Sequence, residues 1–210
     1  MPARSVRPGS ILEETSGEVR EILGNDFDSL TVERVVIGIF FTGVKLNDGS
    51  GGLCFTPVKE IPEAVCCPSS ARAMPYPGRF VGRSAGEFLR DLPRAPPLKK
   101  AVGIAVLNAL SESCWKRRPG AGYVRESGLD ALDAVPLPEE GYVVVVGALV
   151  PIIRRLKARG KPFGILEIDL CTLKPDELPY AVPQDKADAA VRRADMLVIT
   201  GTTLINNTLE

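Results

Sequence analysis

The stretch between Tyr142 and Thr200 limits the possible folds most. Val143-Val144-Val145-Val146 is an unbroken apolar run closed by Gly147, with no polar residue to face water on either side. A strand apolar on both sides is covered on both faces, and parallel sheets are the structures that cover strands this way. A helix-period segment follows from Pro151 to Arg159, then a second apolar run, Phe163 to Ile168, ending in acidic residues. A polar helix over 184–193 leads to a third run, Met196-Leu197-Val198-Ile199-Thr200. Apolar strands alternating with helices predict a parallel sheet with right-handed crossovers. Residues 142–210 therefore read as a Rossmann-like domain. Three strands are few for a doubly wound sheet, and Glu210 falls where another helix is expected to begin, so the expectation is a domain truncated at its C-terminus.

The earlier residues have a different texture. Ser10 and Glu13 have capping-box spacing, and Ile11, Leu12, Val19, Ile22 and Leu23 recur at helical intervals up to Gly24, predicting a helix over 11–23. Val32 to Ile37, Phe40 to Leu46 and Leu53 to Thr56 read as three short strands, the last two joined by a loose loop over 47–52. Pro57, Pro62, Pro68, Pro75 and Pro77 point to a long surface loop over 57–79. A second capping box, Ser84 with Glu87, predicts a short helix to about Leu92, and Pro96-Pro97 opens a longer one that is apolar almost all round and hence buried on most faces. Residues 1–118 thus form an α+β domain, 119–141 a linker with one helical turn near Leu129 to Val135, and the fold is α/β as a whole.

Charge and residue counts exclude several functions. Lysines plus arginines equal aspartates plus glutamates at 26 each, so nothing gathers phosphates and nucleic-acid binding has no electrostatic support. Lys116-Arg117-Arg118 reads as a solvated helix end. The apolar stretch from Tyr142 to Ile153 is too short to cross a bilayer, and no apolar run follows the N-terminal arginines as a signal peptide requires. Five cysteines without regular spacing argue against a secreted disulfide framework, so a cytoplasmic protein is expected. There is no histidine, which removes a Ser-His-Asp triad, a Cys-His pair and every His-based zinc site. Acid–base chemistry would rest on Glu167 or Asp169, or on a bound cofactor.

In a parallel α/β sheet, ligands bind beyond the carboxyl ends of the strands. Gly147 allows a sharp turn there, and the helix start near Pro151 could present N–H groups to an anion, although a lone glycine also serves plain turn geometry. Glu167 lies 20 residues after Gly147, where a dinucleotide-binding unit places its ribose-binding carboxylate; Glu167 and Asp169 read equally as a solvated strand end. Thr202, Thr203, Asn206 and Asn207 offer small hydrogen-bonding groups or helix caps. Asn108, an amide within an apolar helix, must find a partner, either structurally or at a cleft. Arg83 could bind an anion or form a surface ion pair. Vicinal Cys66 and Cys67 could hold a soft metal, without other ligand spacing to support them.

These residues also carry a family likeness. Val36-Ile37-Gly38 with Thr42-Gly43-Val44-Lys45-Leu46, Gly52-Leu53-Cys54-Phe55-Thr56, Leu107-Asn108-Ala109-Leu110 and Thr200-Gly201-Thr202-Thr203-Leu204-Ile205-Asn206-Asn207-Thr208 resemble an uncharacterised prokaryotic family labelled "putative heavy-metal chelation". The resemblance implies an enolase-N-terminal-like first domain, a Rossmann-like second domain and a site between them. The resulting expectation is a small-molecule-binding protein, with catalysis left open, for an anionic nucleotide-like, pterin-like or metal-complexed ligand in the interdomain cleft. The alternatives are metal handling through thiolates and carboxylates without turnover, and a non-catalytic interaction module whose open sheet edge pairs with another chain, including as a homodimer.

Overall fold

The computed structural model describes residues 10–58, 76, 78–90, 92–118, 124 and 126–209. They form two compact units: residues 1–124 together with 201–210, and residues 125–200. The last ten residues, which the sequence pattern runs on from the third parallel strand, group with the first unit.

In the first unit, α1 (Ile11–Leu23) begins at a complete capping box. The Glu13 N–H donates to Ser10 Oγ at 3.3 Å, and the Ser10 N–H donates to Glu13 Oε2 at 3.1 Å. Leu12, Val19 and Leu23 form its buried stripe. The antiparallel sheet has the order β1 (Val32–Ile37), β2 (Phe41–Leu46), β3 (Gly51–Phe55). Thr42, Val44 and Leu46 are buried on its inner face. Against that face lies α2 (Pro97–Arg117), whose residues 100–107 are all buried.

Strand β3 starts two residues earlier than the sequence pattern suggests, because Gly51 and Gly52 belong to it rather than to the loop. A Cβ on Gly52 would lie 2.2 Å from the Ala105 carbonyl oxygen and 2.4 Å from the Ala109 nitrogen, so the glycine lets helix and strand backbones touch. Asp48 then pins the β2–β3 turn to the helix: it accepts the Ser50 N–H at 2.9 Å and the Ser113 hydroxyl at 2.7 Å. Burial pushes the Asp48 pKa up, but these hydrogen bonds and Lys116 outweigh it and hold the carboxyl below its usual value.

The expected capping box at Ser84 does not form. Residues 85–89 make a 3-10 turn with no side-chain cap. Glu87 instead pairs with the Arg83 guanidinium, a charge-assisted bond that outcompetes a neutral backbone N–H. A second 3-10 turn, residues 92–94, precedes α2.

In the second unit, the helical turn α3 (Ala131–Ala134) precedes a parallel sheet of order β5 (Phe163–Leu166), β4 (Val143–Val146), β6 (Met196–Ile199). Central β4 pairs in register with both neighbours, Val143 opposite Phe163 and Met196, and Val146 opposite Leu166 and Ile199. Val143, Val144 and Val145 are fully buried, as a central parallel strand requires. The β4–β5 crossover is α4 (Val150–Arg159), which buries Ile153 and Leu156 and ends at left-handed Gly160. The predicted polar helix over 184–193 is a 3-10 turn at 184–186 followed by α5 (Ala187–Arg193). After β6 the chain turns into α6 (Thr202–Ile205), which belongs to the first unit; Ile205 joins that unit's core.

Arg159 ties the unit's loops together. Its guanidinium donates to the carbonyls of Pro138 and Gly141 at 3.0 Å and of Pro162 at 2.9 Å. No helix among the described residues is long and apolar enough to cross a membrane.

Candidate functional site

The candidate site is at the carboxyl ends of β4 and β5, within the second unit. The ladder extends one step past the strands: Gly147 N–H donates to the Leu166 carbonyl at 2.8 Å, and Thr200 N–H to the Val146 carbonyl at 3.1 Å. Gly147 has φ +97°, and a Cβ there would lie 2.6 Å from Thr200 Cγ2. Both the turn and the space select glycine.

Glu167 ends β5 two residues before the predicted strand end, because its carboxylate folds back onto the backbone. Oε2 accepts the Ala148 N–H at 2.7 Å and Oε1 the Asp169 N–H at 3.0 Å. One half-buried carboxylate thus ties the two strand ends together and fixes its own orientation. Each oxygen retains a second lone pair, so a carboxylate held this way can still accept donors from a ligand. The Ala148 N–H, the first backbone donor after Gly147, is not free for an anion; an anion here must compete with Glu167. Pro151 sits exposed in the first turn of α4 and, having no N–H, subtracts another donor. Asp169 caps the following 3-10 turn, accepting the Cys171 N–H at 3.1 Å, while its carbonyl accepts the Thr172 hydroxyl at 2.7 Å.

Gly147, Pro151, Glu167 and Asp169 therefore lie together in the second unit. The remaining sequence candidates are in the first. Thr202 and Thr203 are on α6, with Thr203 buried, and Asn206 is exposed at its end. Beside them Lys100, only 2% exposed, donates to Asn207 Oδ1 at 2.7 Å. Sequence reasoning passed over Lys100. The available signal was a Lys99-Lys100 pair opening a helix apolar on nearly every side, which leaves little room for both outside. Asn108 is exposed at the open edge of β3, where its amide donates to the Leu53 carbonyl at 2.8 Å and so satisfies an edge-strand acceptor. Arg83 is held by Glu87, by the Arg79 carbonyl at 3.0 Å and by the Tyr76 ring, whose centroid lies 4.2 Å away.

The donor set for a metal is thin. Among the described residues no group of three or more Cys, Asp or Glu is placed to hold an ion. Burial pushes the Cys54 thiol up to about 11 and raises Cys114 as well, which disfavours the thiolates that bind metal. Cys171 is exposed. Cys66 and Cys67 lie outside the described residues.

An antiparallel sheet backed by helices, followed by a parallel three-stranded α/β unit with its strand-end turn, defines a Rossmann-related α/β protein. Two family models match the chain, DUF4213 over residues 20–111 and DUF364 over residues 130–210, both described as "Putative heavy-metal chelation". The chain belongs to that family. Its fold is similar to a crystal structure of a DUF364-family protein of unknown function from Pyrococcus horikoshii: TM-score 0.65, 15% identity, covering 95% of this chain and 71% of that one. A second DUF364-family structure of unknown function, from Desulfitobacterium hafniense, is similar at TM-score 0.63 and 14% identity, covering 94% of this chain and 72% of the other. No curated protein matches.

Proposed function

We propose that the chain is a small-molecule-binding protein whose ligand sits at the carboxyl ends of β4 and β5 and donates hydrogen bonds to Glu167. The observation that carries this reading is the anchoring of both Glu167 oxygens by backbone N–H groups at 2.7 and 3.0 Å. A carboxylate fixed in advance, half-buried and with lone pairs to spare, suits the vicinal hydroxyls of a ribose or the adjacent ring and exocyclic N–H groups of a pterin. Nucleotide-like and pterin-like ligands share that donor edge. An anionic part of such a ligand would lie away from Glu167, since the nearest backbone donor is already taken.

Native mass spectrometry and elemental analysis of protein purified from its source test this, together with thermal shifts using guanosine and neopterin as probes. A retained organic mass, or a melting shift with either probe, that disappears in Glu167→Ala supports the assignment. Wild-type protein that retains no organic mass and responds to neither probe overturns it. A stoichiometric metal without organic ligand overturns it too, in favour of metal handling, with Cys66 and Cys67 the first residues to replace.

A further inference from the structure

The outer face of the first unit's sheet is apolar where an ordinary solvated face would be polar. Strand alternation puts Val36, Phe41, Leu53 and Phe55 on it, and the β1–β2 hairpin tip adds Ile39 and Phe40; all six are exposed, Ile39 and Phe40 at 71% and Leu53 at 63%. The register gathers them: Val36 pairs with Gly43, Gly43 with Leu53, and Phe41 with Phe55. With about 150–250 Å² for a fully buried aromatic side chain, the six leave on the order of 700 Å² of apolar surface in water. That exceeds the patch of about 300–600 Å² usual as the largest on a monomer.

We propose that this face is an interface with a second copy of the same chain. Two such faces together bury on the order of 1,400 Å², within the range of a stable standard-size interface. A twofold contact must carry its own complement, because one patch meets itself. This face does: a shallow trough of about 620 Å³ runs over Gly43 and Gly51 between Arg34 and Leu53, beside the aromatic side chains that could fill a partner's trough. Charge does not oppose self-association. The chain has 26 residues of each sign, and Lys45 on the trough is matched by Glu33 at 2.8 Å. On the β3 edge Asn108 occupies one acceptor, the Leu53 carbonyl, which blunts strand pairing there, whereas the apolar side chains all lie on the face and the hairpin tip.

Sedimentation velocity on the full chain across micromolar concentrations tests the interface. The wild type should sediment at twice the chain mass. Phe40→Ser with Phe41→Ser, and separately Leu53→Glu, should each raise the dimer dissociation constant by about 100-fold or more, as loss of central interface anchors does. Circular dichroism and Trp115 fluorescence check that each variant is folded. If the double variant does not fold, Leu53→Glu and single Phe40→Ser at the exposed hairpin tip decide the matter. A wild type that stays monomeric at 100 µM overturns the proposal. So does a dimer that persists in folded variants, since it then uses another face. The readout is independent of Glu167 and of ligand binding.

Discussion

Gly52→Ala is a single-methyl change that isolates how the first unit is built. The added carbon would lie 2.2 Å from the Ala105 carbonyl oxygen, 2.4 Å from the Ala109 nitrogen and 2.9 Å from the Asn108 carbonyl carbon, where ordinary contact begins at 3.4 Å. All three obstacles are backbone, so no rotamer change relieves them. Helix α2 or strand β3 must withdraw by about 1 Å, and α2 is packed along its length by buried side chains on nearly all sides, so a shift opens gaps elsewhere. The opposing effect is small. Gly52 does not have a positive φ, so alanine is unstrained there and should stabilise by about 0.4–1 kcal/mol through the unfolded chain. Overpacking costs of about 1–3 kcal/mol arise when side chains can adjust; with backbone on both sides the net loss should reach about 3 kcal/mol. Urea titration followed by fluorescence of Trp115, the sole tryptophan and itself on α2, reads this unit. The control is Gly51→Ala, where the nearest atom is the Val44 carbonyl oxygen at 3.7 Å and the change should be below about 1 kcal/mol. If Gly52→Ala and Gly51→Ala unfold within 1 kcal/mol of each other, the close helix–strand approach is not what fixes the packing.

Two further outcomes follow from named groups. Burial raises the Cys54 thiol from 9.0 to about 11 in the folded chain, so folding retains a proton that the unfolded chain releases; stability present below pH 9 is lost as pH rises towards 11. Between pH 8 and 10.5 the wild type should lose on the order of 2 kcal/mol more than Cys54→Ser, read from urea midpoints of Trp115 fluorescence, and parallel losses would refute the burial argument. In the second unit, Arg159→Met removes three hydrogen bonds to the Pro138, Gly141 and Pro162 carbonyls and should destabilise by about 2 kcal/mol. Hydrogen exchange around residues 138–142 should accelerate in that variant while α2 is unchanged; equal acceleration in both would refute a local clamp.

The parts of the fold legible in the sequence are those governed by local periodicity. The four valines before Gly147 announced a parallel strand covered on both faces, because such a strand can tolerate no polar residue, and the Ser10–Glu13 box announced α1 because both partners lie within one turn; that β4 is the central strand is seen only in the fold. Misreadings arose where a distant group decided. Glu87 has the right spacing for a cap, yet Arg83 offers it a full charge. Gly51 and Gly52 look like loop residues by composition, and only the presence of α2 more than fifty positions later gives Gly52 a reason to be in a strand.

The same logic explains how far the candidate site could be anticipated. Position along the chain was enough to place Gly147 and Glu167 at neighbouring strand ends, since a βαβ unit fixes that spacing. It could not reveal that Glu167 turns inward to occupy the Ala148 N–H, because the choice between an internal carboxylate and an external anion is settled by side-chain reach over a few ångströms. That contact reverses the chemistry expected of the turn. A glycine turn with open N–H groups selects an acceptor, such as phosphate, whereas the same turn closed by its own carboxylate presents an acceptor and selects a donor. If the proposed ligand binds at Glu167, the edge it turns to that carboxylate should therefore carry O–H or N–H groups, and any phosphate on it should find its partners elsewhere.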